Sequence, residues 1–346
     1  MVADNEQPPN ADELGLTDEK ARRNLWHGLI SLGVLVALAA GLLLAVPSLH
    51  GVEHEILHMP VHVVLIAIGL ELLSCSSYVV CFLLVFDRVP RRFGARVALS
   101  ELAFGSAVAL GGASSIAVGA WLLIERGERP GEVAERSAVL FLLTSGINLI
   151  TLAAAGLGVW FGILPGNRDP LLSLVPGAVG VVVFFAFLAL PTVSDRLMAG
   201  RSGRFARWAN ASSGTIRLTA KTLFTPDWRL LGAFGYLWFD IAVLWLAFKA
   251  LGHTPPLPTV VLAYQVGYLS NLIPIPGGIG VLDGSFVGLF ALYGVRGTIA
   301  ASATIVYHAI SLWVPATWGT IAFLLLRRSR HEPIQWRGLS IRRRAK

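Results

Sequence analysis

The chain has 346 residues, of which 55% are hydrophobic and 14% charged, with a mean hydropathy of +0.67. Soluble domains carry about 25% charged residues, so the composition excludes a soluble enzyme and points to an integral membrane protein. The formal net charge of +7 says nothing of nucleic acid here, because in a membrane protein the placement of the positive residues is what carries information.

Residues 1–24 are polar and mildly acidic, with Pro8 and Pro9, and read as a disordered cytoplasmic tail. Leu25 to Pro47 is an apolar run of 23 residues. It is long for a signal-peptide core and follows a long polar tail, so it reads as an uncleaved first span. Next comes HGVEHEILHMPVH, with His50, His54, His58 and His62 at intervals of four. His54 to His58 matches HExxH, in which two imidazoles one turn apart hold zinc and the glutamate acts as base. The segment is a short external loop ending at Pro60, with no further ligand set beside it, so a wet interfacial helix is expected and no metal is assigned. Cys75 and Cys81 lie six apart in one apolar segment, on different helix faces, so neither a disulfide nor a metal site is expected.

Further apolar runs at 61–86, 137–164, 171–193, 230–248 and 299–326 are each long enough to cross a core of about 30 Å. Two other apolar regions are broken. Arg96–Ile124 is interrupted at Gly111-Gly112, and Thr259–Gly294 at NLIPIPGGIGVLDG, Asn271 to Gly284. Each half has roughly 12 to 16 residues, or about 18–24 Å of helix, which is short for a span. Read as hairpins that enter and leave on one side, they place 25 of the 28 Lys and Arg in the segments 1–24, 87–96, 125–136, 194–229 and 327–346. That is the asymmetry expected of cytoplasmic segments. The expected fold is an all-α polytopic membrane protein of about six spanning helices plus two re-entrant helical hairpins. Spans 1, 2, hairpin, span 3 are followed by spans 4, 5, hairpin, span 6, so repeat 1 (about 25–164) and repeat 2 (about 171–326) form an inverted repeat. ALGGASSIAVGAWLLIERG (109–127) echoes PIPGGIGVLDGSFVGLFALYG (274–294). Residues 196–224 mix arginines with Phe205, Trp208, Leu218 and Phe224 and read as an interfacial helix on the anionic cytoplasmic leaflet. The basic tail 327–346 is expected to do the same.

Irregular backbone at membrane depth is tolerated where protein covers it or a polar cavity wets it. In the second motif, Pro274 and Pro276 stop the incoming half-helix and Gly277, Gly278 and Gly280 permit the turn. The returning half-helix then starts deep in the membrane with free N–H groups that favour an anion. The first copy repeats this at Gly111, Gly112, Ser114 and Ser115, and Asn271 adds an amide. Facing each other, two such ends suit a phosphate headgroup; the plainer alternative is that Gly-Gly lets helices pack closely. Asp283, in the first turn of the returning helix, is either a dipole-stabilised acid or a group that meets a cationic headgroup, a cation or a proton. Glu71 and Asp240 interrupt the partner spans 2 and 5. They either relay protons across a shared cavity or are satisfied by neighbours such as Ser74, Ser76 or Tyr236. Asn148, Gln265 and His308 are weaker candidates, since single polar residues in spans more often bridge helices.

GGIGVLDG, the earlier GGAS copy and the hydropathy profile resemble the lysylphosphatidylglycerol synthase transmembrane-region family, also called flippase-like membrane proteins. The resemblance covers nearly the whole chain after residue 24 and is sharpest at Pro274 to Val281, followed by an acid. Family members usually carry glutamate where this chain has Asp283, and a more polar, often arginine-containing run where it has Ser114 and Ser115. The synthase relatives add a large soluble transferase domain, for which about 20 residues remain here, so aminoacyl transfer and catalysis are not expected. The resemblance implies movement of a phospholipid or polyprenyl-linked headgroup across the bilayer; the placement of Lys and Arg makes both termini cytoplasmic in a cell-membrane protein, and no cofactor is expected. A proton- or cation-coupled transporter of a small solute is the competing expectation.

Overall fold

The computed structural model describes residues 59–107, 112–198, 204–268 and 281–328. They fold into α-helices with no strand among them: α1 (Val61–Val85), α2 (Arg91–Ala107), α3 (Gly112–Glu125), α4 (Pro130–Trp160), α5 (Val175–Met198), α6 (Arg204–Phe224), α7 (Leu231–Ala250), α8 (Leu257–Gly267), α9 (Val281–Leu292) and α10 (Gly297–Arg328). Among the described residues, five stretches are long and apolar enough to cross a membrane: α1, α4, α5 with its preceding turn, α7 with its preceding turn, and α10. The expected first span, 25–47, lies outside the described residues.

Boundaries differ from expectation where polar turns continue an apolar helix. The third span begins at Pro130 rather than 137, because Glu132, Glu135 and Arg136 form a polar opening turn continuous with the apolar run. It ends at Trp160 rather than 164, where Gly162 (φ +74°) turns the chain. The first broken region begins at Arg91 rather than Arg96, with Pro90 accepting from the Gly94 amide. Its halves have 17 and 14 residues, and those of the second region 11 and 12.

The returning halves α3 and α9 end alike. Gly127 (φ +100°) and Gly294 (φ +82°) adopt the left-handed conformation. The Glu128 amide donates to the Leu123 carbonyl, and the Val295 amide to the Phe290 carbonyl. This is the Schellman stop, which glycine adopts without a Cβ penalty. Three residues after each glycine a long span begins, at Pro130 and Gly297.

The helix contacts fall in pairs. Helices α1 and α7 pack along each other; α2 lies on α10 as α8 lies on α4; α3 joins α2 to α4 as α9 joins α8 to α10. The α1–α7 crossing is antiparallel: Gly232 sits at Ser77 and Cys81, while the Tyr236 carbonyl accepts from Ser74 Oγ at 2.8 Å. A Cβ on Gly232 would come within 2.6 Å of the Ser77 carbonyl oxygen, so the absent side chain sets the interhelical distance. Among the described residues, the larger apolar cluster runs through α1, α4, α7 and α10 and includes Phe82, Phe86, Phe248 and Phe323, and a small second one gathers Cys75, Leu99 and Ala322.

At the arginine-bearing end of α1, Arg136 bonds the Val85 carbonyl at 2.7 Å and the Asp87 carboxylate at 2.8 Å, closing a free helix terminus. Helix α6 packs on α4 and α5 through Ser213, Ile216 and Thr219, leaving Arg217 and Lys221 exposed. That is the two-faced pattern of an interfacial helix.

Candidate carboxyl site at the helix crossing

Residues 71, 74, 75 and 78 fall on one face of α1 by helical spacing. That face carries Glu71, Ser74, Cys75 and Tyr78 and meets α7, where Tyr236 and Asp240 stand one turn apart. The Glu71 and Asp240 carboxyls stand close to each other across the crossing, placed to share a proton. Both are almost fully buried, at 4% and 8% exposure.

Two further helices close the site. Asp240 Oδ2 accepts from the Tyr264 hydroxyl on α8, and from the Tyr307 hydroxyl on α10 at 2.8 Å. The Tyr307 and Tyr268 hydroxyls share a bond of 2.7 Å. His308 stands near enough to interact electrostatically with Asp240. The ring of Phe286 on α9 covers the tyrosines, with centroids about 6 Å from those of Tyr264, Tyr268 and Tyr307. Glu71 Oε2 and the side-chain nitrogen of Gln265 find no partner among the described residues.

Chemically this is a place for a proton. A hydrogen bond between two carboxyl groups needs one proton between them, and two adjacent carboxylates stripped of water repel too strongly to stay ionised together. The phenols supply donors in place of water. Removing a proton changes the charge at the crossing of α1 and α7.

The expected neighbours are corrected. Asp240 is held by Tyr264, Tyr307 and Glu71, whereas Ser74 donates to the Tyr236 carbonyl and Ser76 to the Leu72 carbonyl of its own turn. Of the weaker candidates, His308 belongs to this cluster, Gln265 follows Tyr264 on α8 with a buried side-chain nitrogen, and Asn148 is part-buried on α4. Sequence reasoning missed Tyr264, Tyr268 and Tyr307. The signal was there: the chain has six tyrosines, and all but Tyr293 lie on the helices around the pair.

The motif residues are only partly described. Gly112 opens α3; Ser115 is part-buried and packs on Gly105 of α2; Ser114 and Asp283 fall in the first turns of α3 and α9. Gly111, Asn271, Pro274, Pro276, Gly277, Gly278 and Gly280 lie outside the described residues, as do His50, His54 and His58; His62 is exposed at the start of α1. Cys75 and Cys81 are free and buried.

Residues 30–319 match the model of the lysylphosphatidylglycerol synthase TM region. The chain belongs to this family. Its similar relatives include a UPF0104 membrane protein of Methanothermobacter thermautotrophicus, 37% identical over 24% of each chain. Another from that organism is 26% identical over 51% of this chain and 57% of the relative. One from Methanocaldococcus jannaschii is 31% identical over 26% of this chain and 27% of its own. The matches thus span from about a quarter to a little over half of these relatives' length. As a member of the synthase TM-region family with five apolar spans described, the chain is a multi-pass membrane protein of a lipid-related family.

Proposed function

We propose that this protein carries a phospholipid or polyprenyl-phosphate-linked headgroup between the leaflets of the cell membrane, without covalent chemistry. The path would be a midplane groove between two inverted halves, about 25–164 and 171–326, each contributing a re-entrant hairpin. The half-helix starts at Gly112 and near Gly280 would receive the phosphate, with Ser114, Ser115, Asn271 and Asp283 beside it. Both termini would face the cytoplasm, a reading that the placement of Lys and Arg supports. The observation that carries the reading is the Glu71–Asp240 pair at the crossing of α1 and α7. A protonatable bond between two elements that exchange under the packing pattern gives a way to bias one arrangement of the halves over the other.

The test is lipid scrambling in proteoliposomes, comparing a fluorescent phospholipid with a polyprenyl phosphate. Wild type, Asp283→Asn and Asp240→Asn are assayed side by side. Protein-dependent movement lost in either variant supports the reading. Movement intact in both makes Asp283 a helix-end charge and removes the pair from the mechanism; no movement of either lipid in wild type rejects lipid translocation.

A second reading has a specific observation behind it. The unpartnered Oε2 of Glu71 and the unpartnered amide of Gln265 leave polar capacity that a small solute or a cation would use. Solute uptake driven by a pH gradient, absent in Glu71→Gln, would favour this proton- or cation-coupled transporter.

A further inference from the structure

A second buried carboxyl lies on the arginine-bearing side of the pair. Glu101 on α2 is 3% exposed and accepts a 2.7 Å hydrogen bond from the Tyr78 hydroxyl on α1. Gly119 on α3 makes room for it: a Cβ there would stand 1.6 Å from Glu101 Oε1. On its remaining side α2 meets α10 through small residues, with Gly319 set against the Leu99 carbonyl. The titratable groups facing the Glu101–Tyr78 couple are Tyr236 of α7 and Cys81 of α1. Nothing in the packing of this region calls for a carboxylate, and burying one without a role is costly.

The couple also has a counterpart. Tyr78 and Glu101 are 23 residues apart and join α1 to α2. Asp240 and Tyr264 are 24 apart and join α7 to α8. Each bond ties a span to the first helix of the hairpin after it, with acid and phenol exchanged.

Tyr78 also connects toward the pair. It follows Glu71 by seven residues on the same face of α1, about 10 Å along the axis. Helical side chains slope toward the N-terminus, so Tyr78 leans back toward Glu71. Its ring packs on that of Tyr236 at 5.1 Å, and Tyr236 precedes Asp240 by one turn.

We propose that Glu101 and Tyr78 form a second proton-binding site, through which the Glu71–Asp240 pair exchanges protons with water on the arginine-bearing side. In the step, the Tyr78 hydroxyl turns from Glu101 to give its proton to an ionised carboxyl of the pair, while protonated Glu101 gives its own proton to the Tyr78 oxygen. Glu101 is then reprotonated from water, so Tyr78 ends as it began. The inference rests on the reading of Glu71–Asp240 as a proton site, and its test keeps the two apart.

Purified protein in nanodiscs is transferred from H2O to D2O while the C=O stretches of its protonated carboxyls are followed by time-resolved infrared spectroscopy. Glu71→Gln and Asp240→Asn identify the band of the pair, and Glu101→Gln that of the second site. The expected result is that in Glu101→Gln and in Tyr78→Phe the pair's band persists but exchanges about tenfold or more slowly, equal to ~1.4 kcal/mol on the barrier. A merely structural role would leave that rate unmoved, and exchange at the wild-type rate in both variants overturns the proposal. Tyr78→Phe keeps the ring and carries the test if Glu101→Gln does not fold. Absence in wild type of any band that Glu71→Gln removes would instead reject the pair as a proton site, and the relay with it.

Discussion

Truncating Asp240 to alanine should cost far more than changing it to asparagine, and the hydrogen bonds around it set the size. Alanine strips the acceptor from the Tyr264 and Tyr307 hydroxyls and the partner from Glu71. Hydrogen bonds between helices of membrane proteins average about 0.6 kcal/mol and reach about 1.7, so three lost bonds amount to about 2–5 kcal/mol. At about 2 °C per kcal/mol for a chain of this size, the unfolding midpoint should fall by about 4–10 °C. Asparagine keeps an oxygen for the two phenols and turns an amide toward Glu71, so its loss should stay within about 1 kcal/mol. The assay is thermal unfolding of detergent-solubilised protein, followed by the fluorescence of its 10 tryptophans. Combining Asp240→Ala with Tyr307→Phe closes a cycle whose coupling should lie near the single-bond range of about 0.6–1.7 kcal/mol. An alanine variant as stable as wild type, an asparagine variant as damaged as alanine, or a coupling near zero would refute the cluster as described.

Two other outcomes follow from the packing and the charges. Gly232→Ala and Gly319→Ala each place a Cβ against backbone, at 2.6 Å from the Ser77 oxygen and 2.0 Å from the Leu99 oxygen. Each should lose about 1–3 kcal/mol in the same assay, whereas Gly69→Ala, which meets nothing within 4 Å, should be neutral or better. In the loop before α7, hydrogen bonds from Arg229 hold the part-buried Asp227 carboxyl below its usual range. Its contribution should therefore be present above the unfolded value of about 3.9 and vanish as pH falls through the lower folded one. The stability difference between wild type and Asp227→Asn, measured from pH 7 down to pH 2, should shrink to nothing at the acid end.

The legible part of the fold was the part governed by the lipid. Apolar runs located the five described spans and the shorter helices beside the two glycine motifs because an apolar slab about 30 Å thick filters sequence by length. Boundaries at Arg91 and Pro130 escaped because a polar turn continues a helix into the interface at no cost, so hydropathy ends before the helix does. Glu71 and Asp240 stood out as carboxylates in apolar runs. Their partners did not, because Tyr264 and Tyr307 come from helices brought in by tertiary packing, and a tyrosine in a span reads equally well as an interface anchor. Glu101 was hidden differently. It sits in a stretch with Arg96 and Ser100 close by, polar enough to look solvated, and only the Gly119 vacancy and the Tyr78 hydroxyl mark it as enclosed.

The crossing of α1 and α7 also bears on how the protein is made. The Tyr236 carbonyl that receives Ser74 Oγ is 162 residues further along the chain, and Asp240 follows it by one turn. At about 5–20 residues per second of synthesis, the face of α1 that carries Glu71 waits roughly 8–32 s for its partner. During that interval the acid must be held protonated, or kept beside the insertion machinery, for α1 to remain in the bilayer. Asp240 keeps the phenols of Tyr264 and Tyr307 from its own stretch of chain, whereas Glu71 meets its partner only across the crossing, so residues 1–164 made alone should be cleared from the membrane and be rescued when 165–346 is made with them.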